Sequence, residues 1–85
     1  MSEPDYGFDK YAIGITIERL RKERGLSQEV LSSFACIARS HLSMIENGTK
    51  QPNFETLWKI SHALEMQPHE LVVLIEKNSK KKTVR

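Results

Sequence analysis

The side chains able to do chemistry in this 85-residue chain fall into three sets. The first is the imidazoles and the single thiol, Cys36. His62 and His69 form no zinc-ligand pattern with it, so no metal is expected. The second is the serines, histidines and acids that could form a nucleophile–base pair. They are scattered over separate short segments with no cleft implied, which argues against an enzyme and against a cofactor. The third is a group of small or polar residues on the outer face of a helix over about 39–47, Arg39, Ser40 and Ser43, with Gln28 in the first turn of the helix before it. These are amide, guanidinium and hydroxyl donors on small or extendable side chains. Their chemistry is polar recognition of an acceptor-rich surface.

The elements that must position this third set can be read from periodicity and stop signals. Residues 1–9 have little periodicity and read as a flexible arm. From about residue 10, Ile13, Ile17 and Leu20 define one face of a helix. Arg21 lies beside that apolar stripe, an odd place for an unpartnered charge. Gly25 has the character of a left-handed helix stop. Ser27 can cap a second helix, to about residue 34, in which Leu31 and Phe34 pair. Ala35, Cys36 and Ile37 leave room only for a sharp corner, with Ile37 plugging the gap. A third helix follows over 39–47, with Leu42 and Ile45 inward and Gly48 as its stop. Asn53 caps a fourth over 54–64, with a stripe of Leu57, Ile60 and Leu64. Pro68 opens a fifth over 68–77, with Leu71, Leu74 and Ile75 apolar. Residues 78–85 read as a disordered basic tail. There is no strand alternation and no repeat of sequence. The spacing predicts an all-α, compact five-helix domain over 10–77.

Length and charge set the limits. A chain this short builds one core and no separate effector domain. One cysteine forms no internal disulfide, which suits a reducing cytoplasm. No apolar run approaches a membrane span. The net charge is +2, but without residues 77–85 eight basic residues face eleven acidic ones. Bulk charge therefore does not argue for a polyanion; a local patch and the tail must supply the attraction.

Two short helices joined by a three-residue turn, the second bearing small polar residues outward, suit the major groove of DNA, which admits one helix. The segment resembles the Xre/Cro-type helix-turn-helix domain of phage repressors and bacterial regulators. The matching pieces are Ile17 to Arg21, Gly25 to Glu29, Leu31, Ile37, Ser43 to Gly48, Pro52 and Leu57 to Leu64, covering roughly residues 12–72. The resemblance implies a lambda-repressor-like fold and a dimeric transcriptional regulator, a repressor or autoregulator, on double-stranded DNA. It implies that Gln28 contacts phosphate and buttresses the reading helix. It places Arg39, Ser40 and Met44 toward bases, and His41, Ser43, Asn47 and Lys50 at or near the backbone. It also pairs Arg21 with Glu46 as a buried salt bridge.

Three positions depart from that pattern. Ala38 replaces the usual serine or threonine cap, at a cost of about 0.5–2 kcal/mol. Cys36 stands where glycine is common, and a left-handed backbone there would cost about 1–2 kcal/mol. Met44 offers only apolar contact. Bland alternatives stand beside each functional role: Arg39, His41 and Lys80 to Lys82 as solvated surface groups, and Cys36 as a small buried or half-buried residue. Helices four and five carry more apolar residues than one stripe requires, so Trp58, Val72, Val73 and Ile75 are expected to form a homodimer interface; the alternative is that Trp58 roofs the core. A competing functional class is a protein-interaction module, antitoxin-like, that keeps the fold and binds DNA weakly or not at all. No small-molecule effector is evident.

Overall fold

The computed structural model describes residues 6–79. Its helices are α1 (Ala12–Glu23), α2 (Gln28–Phe34), α3 (Arg39–Glu46), α4 (Phe54–Ala63) and α5 (Pro68–Asn78). The expected all-α fold is observed, and the described residues contain no strand.

The helix starts follow from capping chemistry. The Ser27 hydroxyl accepts the Val30 amide at 3.1 Å, and Asn53 Oδ1 accepts the Thr56 amide at 2.8 Å. Each satisfies a donor that the first turn of a helix leaves without a partner. At α5, Pro68 occupies the first turn, and the Glu70 carboxylate accepts the Gln67 amide at 2.8 Å. Ala38, at the start of α3, supplies no side-chain cap.

The helix ends share one device. After each of α1 to α4 the chain turns left-handed, at Gly25, Cys36, Gly48 and Glu65. Two closing amide bonds then reach back into the last turn, as from Gly25 to Lys22 and from Leu26 to Arg21. The residue after the turn is apolar in three cases. Leu26, Ile37 and Met66 all pack against the core, so each stop also anchors the next segment.

Ile17, Leu31, Leu42, Ile45, Ile60, Leu64 and Leu71 form the fully buried centre. α1 packs on α3 and α5, α2 on α3 and α4, and α4 on α5. Phe34 departs from its expected inward place and is 58% exposed; Leu31 and Ala35, one turn apart, take the inward positions instead. α1 approaches α3 closely at Gly14. A Cβ there would lie 2.2 Å from the Ile45 carbonyl oxygen, so only glycine allows this contact.

Both chain ends differ from expectation where they are described. Asn78 belongs to α5 rather than to a tail; its side-chain Nδ2 donates to Thr16 Oγ1 at 2.8 Å and its Oδ1 accepts from Arg19 Nη1 at 3.2 Å. Gly7 accepts a hydrogen bond from Ser79, and Asp9 accepts the Tyr11 amide, so residues 6–9 are tied to the domain. The expectations for 1–5 and for Lys80, Lys81, Lys82 and Arg85 lie outside the described residues.

Candidate nucleic-acid interface

The odd charge beside the α1 stripe has its partner. Arg21 meets Glu46 through two bonds, Nε to Oε2 at 2.7 Å and Nη2 to Oε1 at 3.0 Å. Its remaining nitrogen, Nη1, donates to the Leu26 carbonyl at 2.8 Å. Gln28 Nε2 donates to Glu46 Oε1 at 2.9 Å. One carboxylate on α3 thus ties together α1, the α1–α2 loop and α2. Among the described residues no buried side-chain nitrogen or oxygen lacks a partner, which is the condition under which a buried ion pair is tolerated. The hydrogen bonds that Arg21 donates to Glu46, and then the charges of Glu46 and Glu18, raise the Arg21 pKa above its ordinary value against the opposing effect of burial.

This clamp places the polar set. Gln28 is half-buried, and one amide hydrogen serves Glu46 while the second remains for an outside acceptor. Arg39 and Ser40 stand exposed on the first turn of α3; His41, Ser43 and Met44 are half-buried along it. Asn47 is exposed, and its Oδ1 accepts the Thr49 amide and hydroxyl, fixing the loop that carries exposed Lys50. The structure therefore gathers all eight expected contact residues on α3 and its two flanks.

The electrostatics of this region differ from those of the whole chain. Between residues 36 and 52 the only acid is Glu46, already paired in the interior, while Arg39 and Lys50 are exposed cations. α3 has no acid in its first turn and no side-chain cap. Its leading amides and the positive end of its dipole face outward unneutralised, an arrangement that attracts phosphate.

Several residues that shape this surface were not legible in the sequence. Gly14 sets the α1–α3 approach. The Tyr11 ring lies over Gly48, where a Cβ would come within 2.6 Å of Cδ1, so residue 48 needs glycine for space as well as for its φ of +84°. Arg24 Nε donates to the Leu64 carbonyl at 3.0 Å and so closes the end of α4 from α1. Its partner lies forty residues away, and no local pattern signals it.

Away from α3, Trp58 is 60% exposed, so it does not roof the core; Val72 and Val73 are exposed as well. Ile75 is a correction: it is partly buried against the core and gives the outer surface only part of its side chain. Cys36 is exposed rather than half-buried, and its φ of 57° is left-handed. The described residues contain no metal-binding cluster of His, Cys, Asp and Glu, and no helix long and apolar enough to cross a membrane.

A model of the helix-turn-helix family matches residues 17–71. The chain belongs to the Xre/Cro-type helix-turn-helix family. This family and the relatives named below are transcriptional regulators, a non-enzymatic class. Over 60 residues, covering 71% of this chain and 78% of the relative, it is 35% identical to an uncharacterized HTH-type transcriptional regulator, y4dJ, of Sinorhizobium fredii. It is 38% identical over 61 residues to the HTH-type transcriptional regulator SinR of Bacillus subtilis, a match spanning 71% of this chain and 55% of SinR. Among solved structures, it is similar to the restriction-modification controller protein C.AhdI from Aeromonas hydrophila, with a TM-score of 0.71, 32% identity and coverage of 74% of this chain and 96% of that one. The structure of SinR in complex with DNA gives a TM-score of 0.66 at 38% identity, over 71% of this chain and 97% of that one.

Proposed function

We propose that this helix-turn-helix chain is a cytoplasmic repressor or autoregulator that binds a palindromic DNA operator as a homodimer. The observation that carries the reading is the Arg21–Glu46–Gln28 clamp, which buries the one acid of α3 and presents that helix with exposed Arg39 and Ser40 at its start. α3 enters the major groove, Arg39, Ser40 and Met44 face bases, and Gln28, His41, Ser43, Asn47 and Lys50 lie toward the backbone. That the similar regulator SinR was solved in complex with DNA supports the DNA-binding part of this reading. Exposed Trp58, Val72 and Val73, with the outer edge of Ile75, supply the surface on which two copies meet. Dimerisation sets two α3 helices about 34 Å apart, one turn of DNA.

Selection of bound sequences from random duplexes tests binding, palindromy and half-site spacing together. A two-fold symmetric consensus with half-sites about one turn apart is the expected result. A second reading, a protein-interaction module, draws on the exposure of Phe34, Phe54 and Trp58. Absence of duplex binding at low salt, with a stable hetero-complex instead, would replace the first reading by the second. In sedimentation, Trp58→Ala shifts the protein toward monomer; an unchanged profile removes Trp58 from the interface.

A further inference from the structure

The start of α1 is fastened to the loop after α3 by contacts that the helix-turn-helix itself does not require. Gln51 Nε2 donates to the Lys10 carbonyl at 2.9 Å. The Tyr11 ring covers Gly48, and Gly14 seats the next turn of α1 on the Ile45 and Glu46 carbonyls. Two residues before Tyr11, Asp9 accepts the Tyr11 amide at 3.0 Å and holds the chain entering α1. Between these bonds stands Lys10, exposed, with Nζ 5.3 Å from the centre of the Tyr11 ring and no ion pair among the described residues. A ring face orients an ammonium without consuming its three donors.

The carbonyl of Lys10 is therefore bonded to the residue that follows Lys50, which brings the start of α1 against the loop that carries Lys50. That loop, residues 47–53, contains no acid. We infer that Lys10 is a DNA-backbone contact, held by Gln51 and Tyr11 beside that loop, where its ammonium takes a phosphate flanking the base pairs that α3 reads. The contact is sequence-independent, because phosphate is the same at every step. Gln51 and Tyr11 are positioning residues. They fix where the lysine emerges and reduce the entropy lost when it binds.

This inference rests on the DNA-binding reading, and the test separates the two. Affinity for a selected duplex and for a random duplex is measured across roughly 50–300 mM salt. Lys10→Gln should weaken both by about threefold to tenfold and reduce the salt slope by about 0.9 for each lost phosphate contact. Gln51→Ala should give part of that loss, and Lys10→Arg should restore the slope. Lys22→Gln, on the far turn of α1 with Nζ paired to Glu18 at 3.2 Å, should leave the slope unchanged. An unchanged slope in Lys10→Gln, or an equal drop in Lys22→Gln, overturns the contact. If Lys50→Gln lowers the slope while Lys10→Gln does not, DNA binding stands and only this contact falls. If the unmodified chain binds no duplex, both fall.

Discussion

The molecule contains the same corner twice. α2, its turn and α3 superpose in pattern on α4, its turn and α5, twenty-nine positions later. Leu31 and Ile60 lead, both buried. Ser32 and Ser61 follow, both buried and both donating to the carbonyl three residues earlier, Glu29 at 3.1 Å and Trp58 at 2.8 Å. Cys36 and Glu65 make the left-handed turn, at φ 57° and 60°. Ile37 and Met66 plug the gap, and Leu42 and Leu71 enter the core.

The two corners differ at the start of the second helix. In α5, Pro68 removes one donor and the Glu70 carboxylate covers another, at 2.8 Å. In α3, Arg39 and His41 stand at the corresponding positions, and Ala38 offers no cap. A carboxylate at a helix start satisfies its amides and repels a phosphate by the same charge. One corner is thus sealed by its own side chains, while the other is left open, with a helix dipole that favours an anion. The missing cap at Ala38, a defect from the standpoint of stability, is consistent with an anion binding there. The surroundings follow the same division: the exposed α3 face is polar and acid-free, while α4 and α5 carry three glutamates against two lysines and the exposed apolar residues.

The largest effect should come from breaking what only the open corner has. Glu46→Ala leaves Arg21 buried without a partner and should destabilise the domain by about 3–5 kcal/mol in urea unfolding. Glu70→Ala, at the sealed corner, should cost no more than about 0.5–2 kcal/mol. Equal losses would erase the distinction. Transferring the seal is the next test. His41→Glu places a carboxylate where Glu70 stands in the other corner. It should cut duplex affinity by tenfold or more, about 1.4 kcal/mol, while thermal stability is held or raised; retained affinity would show that the open start of α3 is idle. Arg39→Ala should cost about 1–3 kcal/mol on the selected operator and little on random duplex if the side chain reads a base.

Smaller effects probe what the corners share. Cys36→Gly and Glu65→Gly should each stabilise by about 1 kcal/mol, because both relieve a side chain in the left-handed region. A gain at only one would mean that its turn is strained differently. Ala38→Ser should add about 0.5–1 kcal/mol to stability by supplying the cap. A melting curve no higher than that of the unmodified chain would show that those amides already have other partners.

Much of this was readable one element at a time. Ser27, Asn53 and Pro68 announce helix starts because capping is local chemistry within four residues. Gly25 and Gly48 announce stops for the same reason. The third stop was harder, since Cys36 hides a left-handed turn behind a side chain, and the fourth, at Glu65, gave no signal. Phe34 was misplaced because a seven-residue helix is too short for periodicity to choose between two registers. The expected contact residues from Gln28 to Lys50 came from resemblance, and the structure places them on α3 and beside it. What stabilises them from behind was only partly so: the Arg21–Glu46 pair was implied, but that Gln28 shares the same carboxylate appears only in three dimensions.

By itself the sequence determined five helices, the starts at Ser27, Asn53 and Pro68, the stops at Gly25 and Gly48, most of the apolar set that fills one core, and a polar cluster on the third helix, because each depends on neighbours within a turn or two of chain. Only the tertiary structure decided that Gly14 admits α3 onto α1, that Arg24 closes α4, that Gln51 bonds the Lys10 carbonyl and Tyr11 covers Gly48, and that Trp58 stands outside the core. Those outcomes are set by contacts between segments distant in sequence. Distance in space, unlike periodicity, has no signature along the chain.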